Sequence, residues 1–227
     1  MVYLFMSQEI INCLKNEMKI SWVYFEAKYL TFTLTEQKLI DSKLKKMFDV
    51  SRSIKDGNAT SKDFNTLFYE GSNDSLNEFL QSMFDCFKEW QTHAGTELHK
   101  SLYTHTNRST DDWFPVVTID QKINEFKCDN DYITLYRGCN QEEYKTNKFQ
   151  QRQSWTTDLS IAKSFAFHHP SSNTSREDRI VIKAVVQKVD ILWTRIAESE
   201  AVLRLGFSPK SVAVTMTYTD YKKQGGT

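Results

Sequence analysis

The chain has 227 residues, 40% of them apolar, enough to bury a full core in one domain or in a small domain with a helical extension. Its 29 basic residues equal its 29 acidic ones, so no bulk field steers it toward nucleic acid or another polyanion. Four scattered cysteines, Cys13, Cys86, Cys128 and Cys139, form neither a C-x-x-C pair nor a Cys/His cluster with zinc spacing, and read as free thiols of a reducing compartment.

The apolar opening from Met1 to Met6 lacks a basic flank and is cut short by Ser7-Gln8-Glu9. It is read as neither signal peptide nor membrane span, and the expected location is the cytoplasm. From Ile11 the residues Leu14, Met18, Trp22, Phe25 and Tyr29 recur at spacings of three and four, which predicts one long helix with Ser7 as its N-cap. A second helix is predicted through Leu39, Ile40, Leu44, Met47 and Phe48, ending before a polar loop from Ser51 to Ser61. Ser75 and Glu78 have capping-box spacing ahead of Phe79, Leu80, Met83, Phe84, Phe87 and Trp90, a strongly apolar helix face that is read as core. His93, His99 and His105 match no metal-ligand spacing and read as surface or capping histidines.

Near Thr106 the composition changes. Asn107 to Asp112 is polar and turn-rich, Pro115 follows, and β-branched residues then multiply. Strands are expected at Ile133 to Tyr136, Arg179 to Val186, Asp190 to Trp193, Glu200 to Leu205 and Ser211 to Thr219. One helix, capped by Asp158, is expected from Leu159 to about Phe167, before Pro170 and a polar loop from Ser171 to Asp178; residues 224–227 read as a frayed tail. Helices followed by strands favour an α+β fold, divided into a helical region 1–105 and a sheet region 106–227. The seven glycines form neither a G-x-G-x-x-G turn nor a P-loop.

Three polar interruptions of apolar runs stand out in the sheet region. Arg137 ends a strand and is followed by Gly138, where backbone can turn or approach a ligand. Its guanidinium suits phosphate or carboxylate; taken alone, an arginine paired with a core carboxylate is the commoner outcome. In Gln153-Ser154-Trp155-Thr156-Thr157, strand alternation points the Ser154 and Thr156 hydroxyls to one face, expected to be shared with Arg137, and Trp155 to the other; taken alone, an ordinary amphipathic edge strand is the commoner outcome. Glu198 and Glu200 have the same i, i+2 spacing and are expected to share a face; read without a partner they are either a solvated pair or paired carboxylates for cleaving a glycosidic bond.

In this order, the Arg137, Ser154-Trp155-Thr156 and Glu198-Ser199-Glu200 blocks resemble the Arg-Ser-Glu class of mono-ADP-ribosyltransferases, over about residues 130–220. The resemblance implies a pair of packed β-sheets around an NAD cleft with a helical region beside it, and NAD as substrate without a metal. It implies that Arg137 holds the NAD phosphates or adjacent ribose and that Gly138 presents its backbone to the nicotinamide amide. Ser154 would position NAD and the catalytic Glu200, with Thr156 as the third position of the motif. Glu200 would stabilise the cation left by departing nicotinamide, and Glu198 would orient or deprotonate the acceptor. Phe165 or Phe167 stacks on nicotinamide or, more commonly for such residues, packs in the core. Trp155 departs from the family's usual Ser-Thr-Ser, but its side chain should face away from the cleft.

Glu198 leans the acceptor toward a guanidino group on a protein, by family association, and Trp193 and Arg195 in the preceding segment are the implied target contacts. An RNA or DNA base is the second acceptor reading, and an inert interaction module is a third. Because such an enzyme harms the cell that makes it, the helical region is expected to bind an inhibitor or antitoxin, or to deliver the enzyme to its target.

Overall fold

The computed structural model describes residues 6–71, 73–105, 116–168 and 175–225. The turn-rich stretch from Asn107 to Asp112, Pro115, Pro170, most of the loop after it and the last two residues lie outside the described residues. The fold is α+β, with a mainly helical N-terminal part and a six-stranded antiparallel sheet. The described residues fall into two compact units, one up to Thr118 and one from Ile119 onward. Residues 116–118 belong to the helical unit because Val117 bridges Ile20 and Thr118 N donates to the Lys19 carbonyl.

The helical unit holds α1 (Gln8–Asn12), α2 (Trp22–Tyr29), α3 (Leu34–Lys55), α4 (Ser61–Asn65), α5 (Asp74–Thr92) and α6 (Gly95–Thr104). Ser7 caps α1, but the single long first helix does not form. A π-helical turn, Cys13–Glu17, follows α1; Lys19 then takes a left-handed φ of 59°, and Ile20 is drawn into its bridge with Val117. Met18 and Trp22 therefore lie on separate segments, Met18 buried and Trp22 half-buried with its ring stacked on Phe25. Helix α3 continues past Ser51 to Lys55 because that serine is fully buried and its hydroxyl accepts from the Gln91 side chain. Asn73, not Ser75, caps α5, while the Ser75 hydroxyl accepts from Lys28 Nζ. The α5 face is core as expected: Phe79 lies with its ring centroid 5.5 Å from Phe25 and 5.3 Å from Phe32. His93 and His105 stand at helix C-caps, but His99 is buried and bonds the Glu17 carbonyl through Nε2.

In the second unit the strands are β1 (Tyr132–Asn140), β2 (Ser154–Thr156), β3 (Arg179–Gln187), β4 (Ile191–Arg195), β5 (Glu200–Leu203) and β6 (Ser211–Thr217), in sheet order β4-β5-β2-β1-β3-β6. Helix α7 (Gln141–Lys145) follows β1, α8 (Leu159–Phe167) follows β2 with Asp158 as its cap, and α9 (Tyr218–Lys223) takes over where β6 was expected to continue. Alternation divides β1: Ile133, Leu135 and Cys139 enter one core with Trp155, Ala201 and Leu203, whereas Tyr136 lies on the other face, packed with α8. The described strands thus join in one sheet, where two were expected. The join is narrow: β1 meets β2 through the single register pair Tyr136 and Thr156, whereas β1 and β3 run paired over nine residues.

Candidate functional site

Each of the three sequence blocks reaches the middle of this sheet. Thr156 pairs with Tyr136 on one side and Glu200 on the other, and Arg195 pairs with Glu200 from β4. Directly paired residues share a face, so Ser154, Thr156, Glu200 and Arg195 stand together. Ser154 Oγ donates to Glu200 Oε1 at 2.6 Å, and Arg195 Nη1 donates to Glu200 Oε2 at 2.5 Å. The Glu200 carboxylate is only 1% exposed, so an aligned hydroxyl and a guanidinium supply interactions that burial would otherwise deny its charge.

Arg137 does not share that face. It neighbours Tyr136 along β1, so the pleat turns it to the opposite side, with Leu135 and Cys139. Its buried guanidinium donates through Nε to Glu143 Oε1 at 2.7 Å and through Nη1 to the Ser154 carbonyl at 2.8 Å. The core-carboxylate alternative therefore describes its side-chain partner. The link to Ser154 is made through backbone, at the point where β1 and β2 diverge. Arg152 Nε also reaches Glu143, at 3.2 Å. Burial alone would raise the Glu143 pKa, but the charges and hydrogen bonds of Arg137 and Arg152 prevail and hold it below the usual glutamate range.

Gly138 is spoken for by the fold. A Cβ there would lie 2.6 Å from the Ala162 carbonyl oxygen and from Ala166 N, so the missing side chain lets α8 lie on β1. Arg179 donates from Nε to the Ala166 carbonyl and from Nη2 to the Phe165 carbonyl, satisfying the C-terminal end of that helix. Phe167 is buried and stacks on Tyr221, whereas the Phe165 side chain remains 39% exposed.

The glutamate pair departs from the expected strand geometry. Glu200 opens β5, but Glu198 lies in the preceding turn with φ 60° and ψ 15°, and Ser199 follows with φ 45°. Strand alternation therefore does not apply to Glu198, which is exposed beside the buried Glu200. Two consecutive left-handed non-glycine residues cost of order 1 kcal/mol each and persist only where neighbours hold them. The Thr156 hydroxyl donates to the Glu198 carbonyl at 2.8 Å, and Thr157 N donates to the Ser199 carbonyl at 3.1 Å.

Of the two implied target contacts, Trp193 is buried and Arg195 is engaged with Glu200, its guanidinium 5.3 Å from the indole centroid. The residue that projects from this turn is Ile196, fully exposed. The segment that the resemblance implies for target contact, residues 193–197, includes Ile196, but Trp193 and Arg195 were singled out in its place. Glu143, Arg152 and Arg179 were missed although their partners lie only 6 to 14 positions away, because each contact crosses between a strand or loop and a helix, where no single periodicity links the two residues. Trp155 faces the core, its ring edge-on to Phe149 and Phe207. An open depression of about 430 Å³ lies elsewhere, at the start of β1 and the end of β3, lined by Tyr132, Gln187 and Lys188 among others.

No group of histidine, cysteine, aspartate or glutamate among the described residues could hold a metal ion, and no described helix is long and apolar enough to cross a membrane. No family model, curated protein or solved structure matches the chain.

Proposed function

We propose that the protein is an NAD-dependent mono-ADP-ribosyltransferase acting on a macromolecule, with a guanidino group of a protein as the favoured acceptor. The observation that carries this reading is the 2.6 Å bond from Ser154 to Glu200, with Glu198 two residues away at the rim. A fixed, buried carboxylate beside an exposed one supplies two roles for opening a glycosidic bond. In the proposed reaction, the bond from ribose C1 to nicotinamide breaks and nicotinamide leaves with the bonding electron pair. Glu200 faces the resulting oxocarbenium ion and accepts a hydrogen bond from a ribose hydroxyl. The acceptor nitrogen then forms the new bond to C1 and gives its proton to Glu198 or to water.

Two features modify the residue roles that the resemblance implies. Arg137 supports the site by bracing Ser154 through its carbonyl, which fits a positioning role better than a direct one. Arg195 occupies Glu200 Oε2, so an approaching ribose hydroxyl must share or displace that contact. The pair of sheets around an NAD cleft corresponds, in this proposal, to the two sides of the narrow join between β1 and β2. The helical unit is the proposed binding surface for an inhibitor or for the acceptor.

The test is release of nicotinamide from labelled NAD by purified protein, followed by tracing the label into protein, RNA and DNA. Glu200→Gln should lower release by at least about 100-fold while the protein still unfolds cooperatively as a folded chain. A Glu200→Gln protein as active as wild type would sink the proposal; label in RNA or DNA would replace the acceptor but keep the chemistry.

A further inference from the structure

The hydroxyl of Thr156 sits at a junction that the proposed chemistry has so far left without a role. Thr156 is buried at the end of β2, and its Oγ1 donates to the Glu198 carbonyl at 2.8 Å while accepting from Asp158 N at 3.0 Å. Asp158 is the N-cap of α8, so one hydroxyl ties the start of that helix to the turn bearing Glu198. Thr157 N adds a bond to the Ser199 carbonyl at 3.1 Å, and Ser199 N closes the turn on the Ile196 carbonyl. Glu198 and Ser199 are the two left-handed residues of this turn. Extended backbone would suit both better in isolation, so their conformation depends on these bonds. Glu200 is held independently, by Ser154 and Arg195. The two carboxylates are therefore positioned by different residues.

We propose that Thr156 is a positioning residue: its hydroxyl clamps the left-handed Glu198-Ser199 turn and so sets where the Glu198 carboxylate stands beside Glu200. This rests on the reading of the pair as an NAD site, in which Glu200 serves bond cleavage and Glu198 serves the acceptor. Loosening the clamp should then disturb transfer to the acceptor more than cleavage, because small displacements at a reacting group carry large rate penalties.

The experiment compares wild type, Thr156→Val, which removes the hydroxyl at nearly constant shape, and Thr156→Ser, which keeps it. Amide hydrogen exchange of residues 196–200 is measured without NAD. Thr156→Val should exchange about tenfold faster there, with Thr156→Ser close to wild type. The partition of released nicotinamide between water and transfer is then measured with agmatine as a soluble guanidino acceptor. The transferred fraction should fall about tenfold or more in Thr156→Val and recover in Thr156→Ser. Unchanged exchange in Thr156→Val overturns the clamp, as does an unchanged transferred fraction. Should wild type release no nicotinamide, or leave agmatine unmodified, exchange alone decides the clamp, and that result counts against the NAD reading or its guanidino acceptor.

Discussion

The helical unit and the sheet unit solve the problem of buried polarity differently. Among the described residues, the helical unit buries one charged side chain, Asp41, held by the Tyr29 hydroxyl at 3.0 and 3.1 Å from its two oxygens. The rest of its interior is dominated by rings and aliphatic chains, among them Phe25, Phe79 and Phe87. The sheet unit buries Arg137, Glu143, Arg179 and Glu200. Charges are expensive to bury and gain little stability even when paired, so the sheet unit carries a cost that the helical unit largely avoids.

Two substitutions should break the contrast most sharply, each by its own mechanism. Glu143→Ala strands the Arg137 guanidinium in the interior and should cost about 3–5 kcal/mol in denaturant unfolding. Phe79→Ala removes a ring from the aromatic cluster and should cost about the same through the cavity it leaves. A double variant replacing Arg137 and Glu143 with apolar residues of similar volume should regain much of the first loss, whereas no polar substitution rescues the second. Gly138→Ala comes next: the new Cβ would push on α8 and should cost about 1–3 kcal/mol, read in the same unfolding curves.

A smaller effect sharpens the contrast through pH. Glu143 has a folded pKa below its unfolded value near 4.3, so it binds fewer protons when folded. Its contribution is fully present above about pH 4.3 and is lost as pH falls through the depressed value. Asp41 behaves oppositely. Burial raises its pKa, only partly offset by Tyr29, so its contribution is fully present below about pH 3.9 and is lost as pH rises through the folded value. Asp41→Asn should therefore flatten a decline in stability above that range, and Glu143→Gln should remove a loss on the acid side. Denaturant midpoints measured from pH 3 to 6, a range chosen around the ordinary carboxylate values, would show both signs or refute them.

Legibility in the sequence followed the range of the interactions. Periodicity and capping are local, and they found α5, α8 and most strands, because Phe79 to Trp90 and Asp158 to Phe167 carry their own patterns. The first helix failed because its break is imposed by Val117, nearly a hundred positions away. At the site, the residue types and their order were visible, and so was the alternation of Ser154 and Thr156. The face of Arg137 was not, since it depends on which residue of β1 pairs with Thr156. The turn at Glu198 was hidden for a similar reason: nothing in Ala197-Glu198-Ser199 requires a left-handed backbone until β2 supplies its bonds.

The narrow join between β1 and β2 has a mechanical consequence. By hydrogen-bond topology the sheet is one object, yet three strands on either side meet at one rung, supplemented by the Arg137 contact with the Ser154 carbonyl. Across the join the backbone ladder gives one rung, so cohesion passes to packed side chains: Leu135 and Cys139 of β1 share a core with Trp155 of β2 and Leu203 of β5. The seam is thus held by side-chain packing where its flanks are held by ladders, and Ser154, the residue that steadies Glu200, lies beside it.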